Sequence, residues 1–297
     1  MLPPPSLWAR VREQTTRARR GGVLQSLPAE SVWVEQGGVR FLVRVVVDLG
    51  RKKQATKKQG EDAGEEADPF LPYEQELFVA DLSDTHLCLL NKFNVLEHHL
   101  LIVTRRFESQ ETWLTRQDFA AVWTCMAQVG GLVFYNAGKR AGASQGHKHL
   151  QLVPFPLVPG GPDLPAGSVL AGARFQGRAG IAPGFPFVHA LLRLDLDKFR
   201  SPAAAVETLF EGYLALLGAI GLKEKTGMPE GRLSEAYNLL LTGEWMLLVP
   251  RSQEGWASIS VNALGFAGAL LVTSQQQLKE LKVLGPMELL KRVAVSV

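Results

Sequence analysis

Long hydrophobic runs are missing from these 297 residues: no apolar stretch approaches the roughly 20 residues that a membrane span needs. Missing too is the apolar core of a secretory signal, because Met1-Leu2-Pro3-Pro4-Pro5 leads into a basic, polar stretch from Arg10 to Arg20. Arg10, Arg12, Arg17, Arg19 and Arg20 cluster there as in a transit peptide, but Glu13 interrupts them and serine is lacking. The stretch therefore reads as the first helix of a cytoplasmic protein. Cysteine is scarce, and neither Cys88 nor Cys125 has a neighbour at metal-ligand spacing; both sit in apolar surroundings and read as buried, reduced thiols. A strong charge of either sign is absent as well. A net +3 does not announce nucleic-acid binding, yet it leaves room for a local positive pocket suited to a polyanion. What remains, 46% hydrophobic and 21% charged, is a globular composition that fits one large domain or two small ones.

One segment stands apart. Arg51 to Asp68 is a basic block followed by an acidic one without a large apolar residue, so it cannot bury a face and is expected to be a mobile surface loop. Before it, Arg40 to Leu49 is β-branched and strand-like. After it, His86 to Leu90 and Leu100 to Thr104 read as strands, and Thr115 opens a helix with Asp118 as an imperfect capping box. Gly130-Gly131 ends that helix, Leu132 to Asn136 forms a strand, and a glycine-rich loop leads to another strand at His147 to Val153. Pro154 to Pro186 reads as irregular. Ser201-Pro202 starts a helix that runs to about Gly221. Tyr237 to Thr242 and Trp245 to Val249 form a hairpin across Gly243-Glu244, a strand follows to about Asn262, and Ser274 to Lys282 is helical. The irregular alternation predicts an α+β fold, a mainly antiparallel sheet with packed helices. A faint echo links Leu89 to Arg105 with Leu239 to Arg251, as two copies of one strand–turn–strand unit would.

The chemistry concentrates between Phe134 and Gln151. On a strand, His147, His149 and Gln151 share one face while Leu150 and Leu152 turn to the core. Three polar side chains on one face are costly unless they serve a ligand or one another. The preceding loop, Gly138 to Gly146, can turn backbone N–H groups inward around phosphate oxygens, and Lys139 and Arg140 add positive charge. Neutral imidazole is a competent nucleophile toward phosphorus. Gln151 can donate a hydrogen bond but cannot transfer a proton, so water is poorly activated and an anionic acceptor such as phosphate is favoured. A histidine pair on a strand also suits a metal, for which His86, His98, His99 or His189 could supply a third ligand.

The run Gly-Ala-Ser-Gln-x-His-Lys-His-Leu-Gln, preceded by Phe-Tyr-Asn-x-Gly, resembles the active-site signature of the ATP adenylyltransferases that phosphorolyse diadenosine tetraphosphate. They form a branch of the histidine-triad superfamily in which the last triad histidine is glutamine. Asp68 to Glu74, Leu89 to Val95, Leu100 to Thr104, Tyr237 to Thr242 and Asn262 to Gly268 share the likeness, which covers the chain from about Arg40 onward. The resemblance implies one histidine-triad-like nucleotidyltransferase domain over residues 1–297, with an N-terminal region at 1–67, a catalytic half at 68–160 and a C-terminal half at 161–297; the internal echo suggests that the halves are two related units.

By position it implies His149 as the nucleophile that becomes adenylylated, Gln151 as the contact to the transferred phosphate, and His147 as the residue that steadies them. Nucleotide contacts are implied at Asn91, Lys92 and Asn136, in the loop Gly142, Ala143, Ser144 and Gln145, and at Asn262, Ala263 and Leu264. A lysine of the basic loop belongs with them, Lys52 or its neighbour Lys53. Relatives carry Met and Lys where this chain has Ala269 and Thr273, which touches the second nucleotide rather than the reaction core. The ligands implied are diadenosine tetraphosphate, ATP, ADP and phosphate, with a divalent cation, magnesium, riding on the nucleotide and no protein-bound metal. Neither nucleic acid nor membrane is expected as a partner, and a monomer is. Two other readings remain: a hexose-1-phosphate uridylyltransferase-like enzyme, whose histidine is also followed by glutamine, and a nucleotide sensor without turnover.

Overall fold

The computed structural model describes residues 6–46, 68–195, 201–222 and 235–297. Along the chain run α1 (Leu7–Arg20), β1 (Ala29–Gln36), β2 (Val39–Val46), β3 (Phe78–Asp81), β4 (His86–Leu90), β5 (Leu100–Thr104), α2 (Arg116–Val129), β6 (Leu132–Ala137) and β7 (His149–Val153). There follow α3 (Gly167–Ala171), β8 (Arg174–Gln176), β9 (Ala179–Ile181), β10 (Ala190–Arg193), α4 (Pro202–Ala219), β11 (Tyr237–Leu241) and β12 (Trp245–Pro250). The chain finishes with β13 (Gly255–Trp256), β14 (Ile259–Ser260), α5 (Ala263–Phe266), β15 (Ala269–Val272), α6 (Gln275–Leu284) and α7 (Pro286–Val293).

Local chemistry sets the helix ends. Thr115 caps α2 through a complete capping box with Asp118, and Gly130 stops it at φ +68°. Ser201 caps α4 with Pro202 at its first turn. Ten of the strands form one antiparallel sheet in the order β3-β4-β5-β7-β6-β11-β12-β10-β9-β8, while β1, β2 and β15 form a separate three-stranded sheet in which β2 and β15 run parallel, and β13 pairs with β14. The α+β expectation holds. The sequence echo corresponds to the β4–β5 and β11–β12 hairpins, which flank the central β7–β6 pair from opposite sides.

Both faces of this sheet are covered. Helices α1, α2 and α4 pack on one, burying Phe119, Val122, Leu209 and Leu216 against Ile102, Leu150, Leu152 and Leu239. On the other face Phe134, Leu240 and Leu247 meet β2, α6 and α7, while Leu87, Leu89, Leu101 and Val103 meet Phe70, Tyr73 and Phe78. The space between those last two clusters is where β7 presents His149. No helix among the described residues is long and apolar enough to cross a membrane.

Several elements differ from the sequence reading. Residues 51–67 of the charged segment lie outside the described residues. Pro154 to Pro186 is not irregular throughout, since it holds α3 and the β8–β9 hairpin. The strand expected up to Asn262 is instead the two-residue β13–β14 hairpin, reversed at Ala257 and Ser258, both at positive φ. Regular β7 begins at His149, because His147 makes only an isolated bridge to Ser109. The eight-residue strand β1, the short strands β3, β10 and β15 and helix α7 carry no pattern that the sequence reading detected.

Candidate active site

His149 is buried, 4% exposed, against Phe70, whose ring lies 5.3 Å from it and 5.5 Å from His147. Its Nδ1–H donates to the His147 carbonyl at 2.8 Å. That bond fixes the tautomer and leaves Nε2 as the lone-pair nitrogen, which has no partner among the described residues. Burial pushes the imidazole pKa down to about 4, against an opposing contribution from the His147 carbonyl, so the ring is neutral at physiological pH. A neutral ring with a free Nε2 is the state a nucleophile needs. His147 is pinned on both sides, Nδ1 at 2.7 Å from Asp68 Oδ2 and Nε2 at 2.9 Å from both Thr104 oxygens.

Two residues along β7, Gln151 closes a chain of fixed polarity. The Phe93 amide donates to Asn91 Oδ1 at 3.3 Å, so Asn91 Nδ2 is the group that donates to His99 Nδ1 at 3.2 Å. His99 Nε2–H then donates to Gln151 Oε1 at 2.9 Å, and the Gln151 Nε2 amide is left as a donor for the site. Lys92, next to Asn91, pairs with Glu74 at 2.7 Å. Both ends of the segment from Asp68 to Glu74 are thus tied to site residues, Asp68 to His147 by a hydrogen bond and Glu74 to Lys92 by an ion pair.

The loop after β6 turns back at Gly138 (φ +85°) and Gly142 (φ +86°). No hydrogen bond among the described residues engages the amides of Ser144, Gln145 and Gly146. Gly142 packs so closely on the Val261–Asn262 backbone that a Cβ there would lie 2.5 Å from the Val261 oxygen. That contact brings Asn262, the N-cap of α5, together with Ala263 and Leu264, to the loop. Asn136 joins them: its Oδ1 accepts from Ala263 N at 2.9 Å and from Asn238 Nδ2 at 2.8 Å. Arg251, 1% exposed, locks the junction by donating to Asn238 Oδ1 and to the carbonyls of Ala141 and Val261. Burial draws its guanidinium pKa down to about 10, low for arginine yet still cationic at physiological pH.

Lys148, between the two histidines, points through the sheet to the helical face. Its ammonium bonds Asp118 Oδ2 at 2.8 Å, the Trp113 carbonyl at 3.0 Å and Glu108 Oε2 at 3.2 Å. His86 bonds the other Asp118 oxygen at 3.0 Å. Burial pushes the Asp118 carboxyl up, but His86 and Lys148 outweigh it and hold the pKa below its usual value. His98 bonds Thr15 of α1, and His189 accepts from the Ala182 amide. Of the candidate third metal ligands, His86, His98 and His189 are therefore committed elsewhere, and His99 serves Gln151. Among the described residues no three His, Cys, Asp or Glu side chains converge as a metal set.

The structure thus draws His147, His149, Gln151, Asn91, Lys92, Asn136, the loop from Gly142 to Gln145 and the segment from Asn262 to Leu264 around one region of the sheet. Lys52 and Lys53 lie outside the described residues. Ala269 opens β15 beside Leu42, and Thr273 is turned to Gln277.

Residues 1–172 match the model of the Ap4A phosphorylase N-terminal domain, Ap4A being diadenosine tetraphosphate. The chain belongs to the Ap4A phosphorylase family. Residues 183–296 match the ATP adenylyltransferase C-terminal domain. The chain is 28% identical to Diadenosine 5',5'''-P1,P4-tetraphosphate phosphorylase 2 of Saccharomyces cerevisiae, over 93% of this chain and 90% of that protein. It is 29% identical to Protein APA1 of the same yeast over 70% of each. The crystal structure of yeast Ap4A phosphorylase Apa2 superposes with a TM-score of 0.77 at 24% identity, covering 99% of both chains. The same enzyme in complex with Ap4A gives 0.76 at 22%, again over 99% of each. These likenesses establish the fold.

Within the family frame, the site contains residues that the sequence reading did not assign to it, His99 having been weighed there as a third metal ligand. Asp68, His99, Gln110 and Asn238 each hold a site residue by hydrogen bonds across the fold, and Arg251 holds Asn238 in turn. Asn238 had a signal, a polar residue inside the apolar strand from Tyr237 to Leu241.

Proposed function

We propose that this protein transfers an adenylyl group from diadenosine tetraphosphate to inorganic phosphate, giving ATP and ADP, and that the reaction runs in reverse from ATP and ADP. The observation that carries this is a buried, neutral His149 whose Nε2 has no partner among the described residues, beside a glycine loop in which the amides of Ser144, Gln145 and Gly146 likewise have none. Family membership and the yeast phosphorylase relative support the choice of substrate.

In the first step His149 Nε2 forms a bond to the α-phosphorus in line with the bridging oxygen. The P–O bond breaks and ATP leaves. A phosphate oxygen then attacks the same phosphorus, the N–P bond breaks, and ADP departs. Developing charge on the phosphoryl oxygens is met by the Gln151 amide, the amides of Ser144, Gln145 and Gly146 in the loop that Gly142 and Ala143 shape, and Lys92. For Lys92 to serve, the nucleotide phosphate must share or displace Glu74. Lys52, or Lys53, is assigned to the same charge. Asn136, Asn262, Ala263 and Leu264 frame the nucleotide. His147 steadies His149 through its carbonyl. Gln151 has no proton to exchange, which disfavours water as acceptor.

A divalent cation fits as a passenger on the polyphosphate, where it would neutralise charge; the imidazole nitrogens of His147 and Nδ1 of His149 are already bonded within the protein. We assign the enzyme to the cytoplasm, with small nucleotides rather than nucleic acid as its ligands. The test is product analysis. Diadenosine tetraphosphate should give ATP plus ADP only with phosphate present; two ADP, or ATP plus AMP, without phosphate would mean hydrolysis. Comparing labelled ATP with labelled UTP separates adenylyl from uridylyl transfer.

A further inference from the structure

The ladder between β6 and β7 holds three register pairs: Leu132 with Val153, Val133 with Leu152, and Phe134 with Gln151. Continued by two residues, it would set Asn136 opposite His149. The strands part first. Asn136 pairs with Asn238 of β11, and His149 pairs with Val103 of β5.

A side chain from outside the sheet fills the fork. Gln110, 2% exposed, donates from Nε2 to the Asn136 carbonyl at 2.8 Å and to the His149 carbonyl at 3.2 Å. Its Oε1 accepts from the His149 amide at 2.8 Å. A carboxamide carries the donor and acceptor of a peptide group, and here it stands where the next backbone hydrogen bonds would be. Gln110 is itself anchored, its amide bonding the Gly146 carbonyl at 2.7 Å and its carbonyl accepting from Tyr135 Oη at 2.7 Å. Without it, the buried amide and carbonyl of His149 would lose these partners, and the Asn136 carbonyl would keep the Gly138 amide, 2.9 Å away.

We propose that Gln110 is a positioning residue for the transfer assigned above, on which this inference rests. By holding both main-chain groups of His149 it sets where the imidazole stands, and by wedging β6 from β7 it opens the fork that the loop from Gly138 to Gly146 occupies. Gln110 acts on the geometry of attack and leaves nucleotide affinity largely alone.

The experiment uses the full chain and diadenosine tetraphosphate labelled in its adenylyl groups, without phosphate. The readouts are the single-turnover rate of His149 labelling and equilibrium nucleotide affinity. The variants are Gln110→Met, which keeps the shape without the bonds, Gln110→Glu, which turns the donor into an acceptor facing two carbonyls, and Gln110→Asn, which keeps the amide but shortens its reach. The Met and Glu variants should label about 100-fold more slowly while affinity changes by less than about threefold, with Asn intermediate. Nitrogen-15 spectra of the ligand-free protein should show His149 as the Nδ1–H tautomer in the wild type and as a mixture in the variants, a signature that does not depend on turnover. Wild-type labelling rates in folded variants would overturn the proposal. So would losses of rate and affinity in equal measure, or a wild-type tautomer in every variant. If the wild-type protein takes no label at all, the nucleophile assignment fails, and the tautomer comparison still decides the role of Gln110.

Discussion

At position 149 the same burial that hides the imidazole from water keeps it ready to react. With its pKa drawn down to about 4, the ring stays unprotonated through the mildly acidic range where an ordinary histidine would already carry charge. The first chemical step should therefore hold its rate from about pH 8 down to about pH 5 and fall only below that. Single-turnover labelling across that range checks it, and a fall centred near the free-imidazole value would contradict it. Stability carries the same signature. Between the unfolded value near 6.5 and the folded value of about 4, the unfolded chain takes up the proton first, so folding weakens as pH drops through that window. His149→Gln should remove that slope, worth up to roughly 3 kcal/mol in denaturant titrations. His149 and Gln151 were legible in the sequence because a strand's two-residue period places them on one face. His99 and Gln110 were not, because the atoms they hold are 52 and 39 residues away. Lys148 was silent for a related reason, since nothing local says what an inward lysine will meet.

Among the elements, β7 is held from behind by the Lys148–Asp118 pair, whose carboxylate also completes the capping box of α2. Lys148→Met should leave a buried carboxylate short of its cation and cost about 3–5 kcal/mol of stability, measured by urea unfolding. Lys148→Met combined with Asp118→Asn should recover part of it; a single-variant loss under about 1 kcal/mol would show that the pair does not hold the strand. The loop after β6 depends on Gly142 in the same structural sense. Gly142→Ala would place a methyl group against the Val261 carbonyl at a left-handed φ. It should cost roughly 1–3 kcal/mol and raise KM for the dinucleotide, because the loop and the segment from Asn262 to Leu264 move apart. Unfolding curves and steady-state kinetics check it, and unchanged values of both would remove the contact from the account. Elements with caps or long patterns, such as α2, α4 and the β4–β5 and β11–β12 hairpins, were readable residue by residue. Strands such as β3, β10 and β15, four residues each, and the two-residue pairs β13 and β14 were not, since pairing across the fold rather than local preference makes them strands.

For the whole molecule, a ten-stranded sheet joins two hairpin-containing halves edge to edge between β6 and β11. Asn136 and Asn238 face each other across that seam, and Arg251 fastens it from the C-terminal side. The seam explains why the two family models, 1–172 and 183–296, meet at one site. The glycine loop and His149 come from the first, and the segment from Asn262 to Leu264 that packs on the loop comes from the second. The central claim is a covalent adenylyl group on one ring nitrogen, and trapping it is the most direct measurement. Protein mixed with diadenosine tetraphosphate without phosphate, quenched and digested, should carry the adenylyl group on the peptide containing His149. Adding phosphate before the quench should discharge it as ADP, and His149→Ala should carry none. Turnover with no adenylylated peptide, or an adenylyl group on another residue, would contradict the account.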